Sequence, residues 1–314
     1  MSVRITKHPE VPTHIARILS PKGVYPSRSV TFGGDVYVAD KELSFCVFRF
    51  QKPNDDDPYS EVQWLSIPEI KLYSALMLSV DREESFLSFY PYPFSISLVC
   101  DPPNITLESA LKYVKPILSK KLVEPDVLHK GYSVPARNSY KSATDIPLPP
   151  LAGGGEYHFS DTGIDYDLAE HLYNGIDQKD GIAIRGLSTL IKAEMLKSHY
   201  QFHEEATNTL YISLEASFRM VLRKLKQNGI KEPNAKDAAQ FIHDAFYDVN
   251  RLERYFEEDY EKRVLSFHPE NRYGISPYPP IMVDDYFFLF NDLLEVYAYL
   301  LIGFVHPKHK EKIS

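Results

Sequence analysis

Cysteine is scarce in this chain: two among 314 residues, Cys46 and Cys100, each set in an apolar, strand-like run. So low a count excludes a small secreted scaffold held by disulfides, and predicts buried free thiols in a reducing cytoplasm. The opening MSVRITKHPEVPTH has no apolar run of the signal-peptide kind, which points the same way. Long uninterrupted hydrophobic runs are missing as well. The nearest, Tyr286 to Val305, is broken by Asn291, Asp292 and Glu295 and preceded by Asp284 and Asp285, where acidic groups suit the positive end of a helix dipole. A buried bundle helix is therefore expected, not a membrane span.

Positive charge is not in excess. The net charge is −8; residues 1–150 carry 17 basic against 17 acidic side chains, and the deficit lies wholly after residue 150. Composition thus shows no basic groove for nucleic acid. Arg219, Arg223 and Lys226 recur at helical spacing, which reads as a solvated face. Nucleotide and metal signatures are absent too: GxGxxG, HExxH and CxxC do not occur, and Gly153-Gly154-Gly155 is not followed by the Lys-Ser or Lys-Thr of a phosphate loop. His199 and His203 have a spacing that suits zinc, with Glu204 beside them, but no third ligand stands near in sequence. Neither metal nor cofactor is expected. His306 and His309 fall in a terminal PKHKEKIS tail expected to be solvated, and Tyr286, Tyr297 and Tyr299 fit a packed helix.

What the chain does have is one sharp change of texture. Residues 28–100 read as short β-rich segments, RSVTFGGDVYV, LSFCVFRF, SEVQWLS, KLYSALMLSV, ESFLSFY and FSISLVC, separated by Gly-Gly, KPNDDDP, IPE and PYP. A sandwich, or a sheet with one helix, is the expected outcome. TLESALKYVKPIL would be that helix, with Thr106 at its N-cap and Pro116 near its end. Residues 131–156 then accumulate proline and glycine, almost without apolar periodicity, as a linker would.

Beyond the linker the period becomes helical. Helices are predicted over 165–175, 183–199, 202–228, 236–246, 248–262 and 287–304. Leu210, Leu214, Phe218, Val221 and Leu225 form one apolar stripe on the third, which Gly229 stops. The fold class is thus α+β: a β-rich domain (1–130), a Pro/Gly linker (131–156) and an all-α domain (157–314) expected to persist by itself.

One short stretch carries candidate chemistry. RVLSFHPENRYG sets Arg263 and His268 five positions apart where a predicted helix ends and Pro269 disfavours its continuation. Histidine exchanges protons near neutral pH, and arginine holds phosphate or stabilises charge developing on it. Asn271 and Arg272 add an amide and a second cation where a phosphate would be bound. The spacing alone arises about once by chance in a chain this long. A salt bridge from Arg263 to Glu258 or Asp259 is the competing structural reading.

The helical context sharpens it. In FHEEATNTLYISLEASFRMVLRKLKQNG, RVLSFH and DDYFFLFNDLLEVYAYLLIG the chain resembles the HEPN superfamily over roughly 164–304, small helical domains whose nucleases carry an Arg-x4–6-His signature. The resemblance implies a metal-independent endoribonuclease in which the RNA 2′-hydroxyl attacks the adjacent phosphate. His268 would serve as base or acid and Arg263 would stabilise the phosphorane-like charge, with both copies of the pair facing one cleft of a homodimer. The alternative is a non-catalytic nucleotide- or RNA-binding module, or a dimerisation domain. Val264, where many of these nucleases have a polar residue, favours that alternative, as does the acidic C-terminal part.

Overall fold

A computed structural model describes residues 3–4, 13–19, 28–39, 44–49, 65–80, 91–100, 107–123, 163–197, 202–246, 256 and 283–307. The fold is α+β. Two compact units are formed: a sheet unit of Met1–Glu61 and Val80–Asp165, and a helical unit of Val62–Ser79 and Tyr166–Ser314.

In the sheet unit β1 (Val3–Arg4), β2 (His14–Leu19), β3 (Arg28–Phe32), β4 (Asp35–Ala39), β5 (Ser44–Arg49) and β6 (Pro91–Cys100) make one antiparallel sheet in the order β1-β6-β2-β5-β4-β3. Gly33 and Gly34 turn β3 into β4 with φ of 56° and 106°, the doubly positive geometry of a two-residue hairpin that residues with a Cβ resist. Side chains alternate along each strand. Ala16, Ile18, Val38, Phe45, Val47 and Leu98 pack on Ala110, Val114 and Leu118 of helix α2, residues 107–123. Tyr37, Cys46 and Phe48 alternate with that set and are buried too, so the central strands are covered on both faces and read as near-continuous apolar runs. Cys46 is a free thiol, as expected.

Helix α2 does not end near Pro116. It continues to Val123 because Ala110–Val114 widens into a π turn, in which the Lys115 N–H reaches the carbonyl of Ala110. Proline lacks an N–H, and its ring would meet the carbonyl four residues back in α geometry; the wider turn relieves that. Thr106 lies outside the described residues.

The segment KLYSALMLSV, expected as a strand, is instead the body of helix α1 (Ile67–Leu78), and α1 belongs to the helical unit. Its N-terminus is a complete capping box. The Ser66 hydroxyl accepts the Glu69 N–H, and the Glu69 carboxylate accepts the Ser66 N–H at 2.8 Å, with Pro68 in the first turn. Leu72, Tyr73, Ser74, Ala75, Leu76 and Met77 are all buried. A helix covered on every side has no apolar stripe, so the periodic signal that separates helix from strand is missing.

The remaining helices are α3 (Tyr166–Gly175), α4 (Gly181–Lys197), α5 (His203–Gln227), α6 (Ala235–Phe246) and α7 (Val283–Ile302), close to the spans predicted for them. Of the stripe on α5, Leu210, Leu214, Val221 and Leu225 are buried and Phe218 is half-buried. A Schellman closure at Gly229 (φ 95°) ends α5, where Ile230 N–H bonds the Leu225 carbonyl and Gly229 N–H that of Lys226. Helices α4, α5 and α7 form the centre, α1 packs on α3, α4 and α7, and α6 covers α5. Among the described residues no helix is long and apolar enough to cross a membrane. Residues 131–156, and the helix expected over 248–262 apart from helical Phe256, lie outside the described residues.

Candidate functional site

Arg263, His268, Asn271 and Arg272 lie outside the described residues. The segment that carries them is bounded by two placed residues. Phe256 is buried and meets Phe218 of α5 edge-on, ring centroids 5.0 Å apart, and Val283 opens α7.

Contacts between the central helices give their directions. Lys197 at the end of α4 lies over the Phe287 ring at 4.0 Å, whereas Gly186 near the start of α4 meets Tyr297, so α4 and α7 are antiparallel. His203 faces Tyr286 and Ser213 bonds Tyr297, so α5 and α7 run parallel. The crossing point is polar and satisfied. The Tyr297 hydroxyl donates to the Ser213 carbonyl at 2.8 Å, and the Ser213 hydroxyl donates to the Gly186 carbonyl at 3.0 Å. A Cβ on Gly186 would collide with the Tyr297 hydroxyl and stand 2.9 Å from Ala216 Cβ, so only glycine lets these helices approach so closely. Burial raises the Tyr297 phenol above its ordinary pKa, against the hydrogen bond to Ser213, and keeps it a neutral donor.

At the N-terminal end of α7 a small mixed cluster forms. The His203 ring is 5.9 Å from Tyr286, its buried Nε2 makes no hydrogen bond among the described residues, and burial, with Lys197 nearby, lowers its pKa. Tyr286 is buried and stacks on Phe290, while Phe287 and Phe288 are 41% and 54% exposed. His199 lies outside the described residues, and among those described no three His, Cys, Asp or Glu side chains gather as a metal would require.

At the opposite end of these helices is an open cleft of about 420 Å³. Ala183, Met220, Leu300 and Leu301 give it an apolar wall; Asp177, Lys179, Asp180, Arg223, Lys224 and Gln227 give it a polar one. Asp180 caps α4, accepting the N–H groups of Ile182 and Ala183 at 3.2 and 3.3 Å, and takes both arms of the Arg223 guanidinium. Burial alone would raise the Asp180 pKa, but Arg223 and the two backbone donors outweigh it and hold the carboxyl below its ordinary value. Lys224 is half-buried, 5.8 Å over the Tyr299 ring, and has no carboxylate partner among the described residues. Burial, with Arg223 beside it, lowers its pKa.

No family model, no curated protein and no solved structure matches the chain. The row of cations read as one solvated face divides by role: Arg219 pairs with Glu215 one turn away, Arg223 is committed to Asp180, and Lys226 is exposed. Sequence reading missed the Asp180 to Arg223 pair, which joins residues 43 positions apart. The aspartate just before α4 signals a helix cap, yet nothing in the sequence names its arginine. In the tail, His306 is half-buried, its ring edge-on to Phe304 at 6.5 Å, rather than fully solvated.

Proposed function

We propose that the helical unit is a HEPN-like domain that cleaves single-stranded RNA without a metal, through Arg263 and His268 at a homodimer interface. The observation that carries this reading is the N-terminal end of α7, into which the Arg263 to Arg272 segment leads. Lys197 and the exposed rings of Phe287 and Phe288 lie there together, the pairing of cation and aromatic face on which single-stranded bases stack. His268 moves the proton of the attacking 2′-hydroxyl or of the leaving oxygen, Arg263 offsets the charge on the phosphorus oxygens, and Asn271 and Arg272 hold the phosphate.

Cleavage of a single-stranded RNA in excess chelator tests this. His268→Ala is expected to slow cleavage roughly a hundredfold or more with RNA binding retained, and Arg263→Lys to be costly because an ammonium lacks the planar fork of donors. Equal rates in wild type and both folded variants, or activity abolished by EDTA, would overturn the mechanism. RNA binding with no cleavage would select the non-catalytic module, which the acidity beyond residue 150 favours.

A further inference from the structure

The cleft at the far end of the bundle holds a charge arrangement that folding leaves incomplete. Three cations, Lys179, Arg223 and Lys224, line it against two carboxylates, Asp177 and Asp180. Of the carboxylates only Asp180 is paired with a cation among the described residues, while Asp177 stands exposed to solvent. Asp180 is bound by Arg223 and by two backbone N–H groups, and Asp177 accepts the Lys179 N–H at 2.9 Å in a local turn. That leaves the half-buried Lys224 ammonium with a ring for company and no counter-ion among the described residues. Taking a cation partly out of water is unfavourable unless an opposite charge accompanies it. Beside it stand Met220 and Leu300, both buried, and half-buried Leu301, an apolar wall next to one unmatched positive charge in a space of small-ligand size.

We propose that this cleft binds a small organic oxyanion, a carboxylate or phosphate monoester on a compact apolar body, with Lys224 as its charge partner and Met220, Leu300 and Leu301 against the body. Lys179, exposed at the rim, adds a weaker attraction. Arg223 does not reach for the ligand; its pairing with Asp180 ties α5 to the start of α4 and so holds the wall that Lys224 projects from. Because the ammonium's pKa is lowered, binding weakens as pH rises through that lowered value, earlier than an ordinary lysine would dictate. The site stands independently of the RNA-cleavage reading.

Titration calorimetry on the full chain with benzoate, phenyl phosphate and inorganic phosphate, with benzyl alcohol as the neutral analogue, tests the proposal. Benzoate or phenyl phosphate is expected to bind, inorganic phosphate to bind more weakly for want of an apolar body, and benzyl alcohol not to bind. Lys224→Met, which keeps the unbranched apolar stem and removes the charge, should weaken the organic anion by tenfold or more. Lys179→Met should weaken it two- to threefold, and His268→Ala should leave it unchanged. No binding of either organic anion to the wild type, or equal affinity for a folded Lys224→Met, overturns the site. Should Lys224→Met fail to fold, the wild-type pH series decides: affinity that stays constant as pH rises through the range where lysines lose their charge overturns the role of Lys224.

Discussion

Asp180 shows how one side chain can serve two helices. As the residue before α4 it satisfies two of the N–H groups that a helix start leaves without partners, and as an acceptor for Arg223 it joins that start to the far end of α5. Its folded pKa lies below the ordinary value of 3.8, so the stabilisation is fully present above that value and is lost as pH falls through the lowered one. Asp180→Asn keeps the capping oxygen and removes the charge. At pH 7 it should cost about 1 kcal/mol, since Arg223 is 42% exposed and solvent screens the pair. At a pH well below that lowered value, where Asp180 is protonated in the folded state too, wild type and variant should unfold at the same urea concentration. A difference that persists in acid would mean that the cap, not the charge, carries the effect.

Among the elements α1 is the most instructive, because neither its start nor its body was read as helix: its cap and first turn fall in SEVQWLS and IPE, a strand-like run and a separator. Ser66 and Glu69 stand three apart with Pro68 between them, a helix-start signature present in the sequence itself. Residues 72–77 then offered no polar face, since α1 is enclosed by α3, α4 and α7, and burial on all sides erases the period on which a helix reading depends. Helix α5, with one face on the core and Glu215, Arg219 and Lys226 elsewhere, kept its stripe and was read nearly end to end. Ser66→Ala should cost about 1 kcal/mol in urea unfolding, and Ser66→Asp should retain most of the stability. Hydrogen exchange gives an independent reading: α1 amides should be protected to the same degree as those of α4. Exchange at the faster rate of a separate, locally opening segment would contradict its place in the bundle.

For the whole molecule the consequence concerns what can be cut away. The sequence suggests a C-terminal domain that begins at 157 and persists by itself, but the helical unit draws residues 62–79 from the N-terminal part. A fragment of residues 157–314 would expose the surfaces of α3, α4 and α7 on which α1 packs in the full chain. It is expected to bind a hydrophobic dye and to melt at least several degrees below the full chain, and a peptide of residues 62–80 added in excess should raise its melting point. A fragment as stable as the full chain, indifferent to the peptide, would show that α1 is dispensable.

Local pattern alone determined the class of the fold, the boundaries of the amphipathic helices and the inward tyrosines of α7, because each rests on interactions within a few residues or on a one-sided burial that leaves a period behind. The Arg263 to His268 pair was likewise a matter of spacing. Tertiary structure decided the rest: the allegiance of α1, the continuation of α2 past Pro116, the close approach at Gly186, and the cleft where Asp180 commits Arg223 and leaves Lys224 without a counter-ion among the described residues. Each depends on atoms brought together from distant parts of the chain or on burial from all sides. Neither leaves a repeating trace in the order of residues.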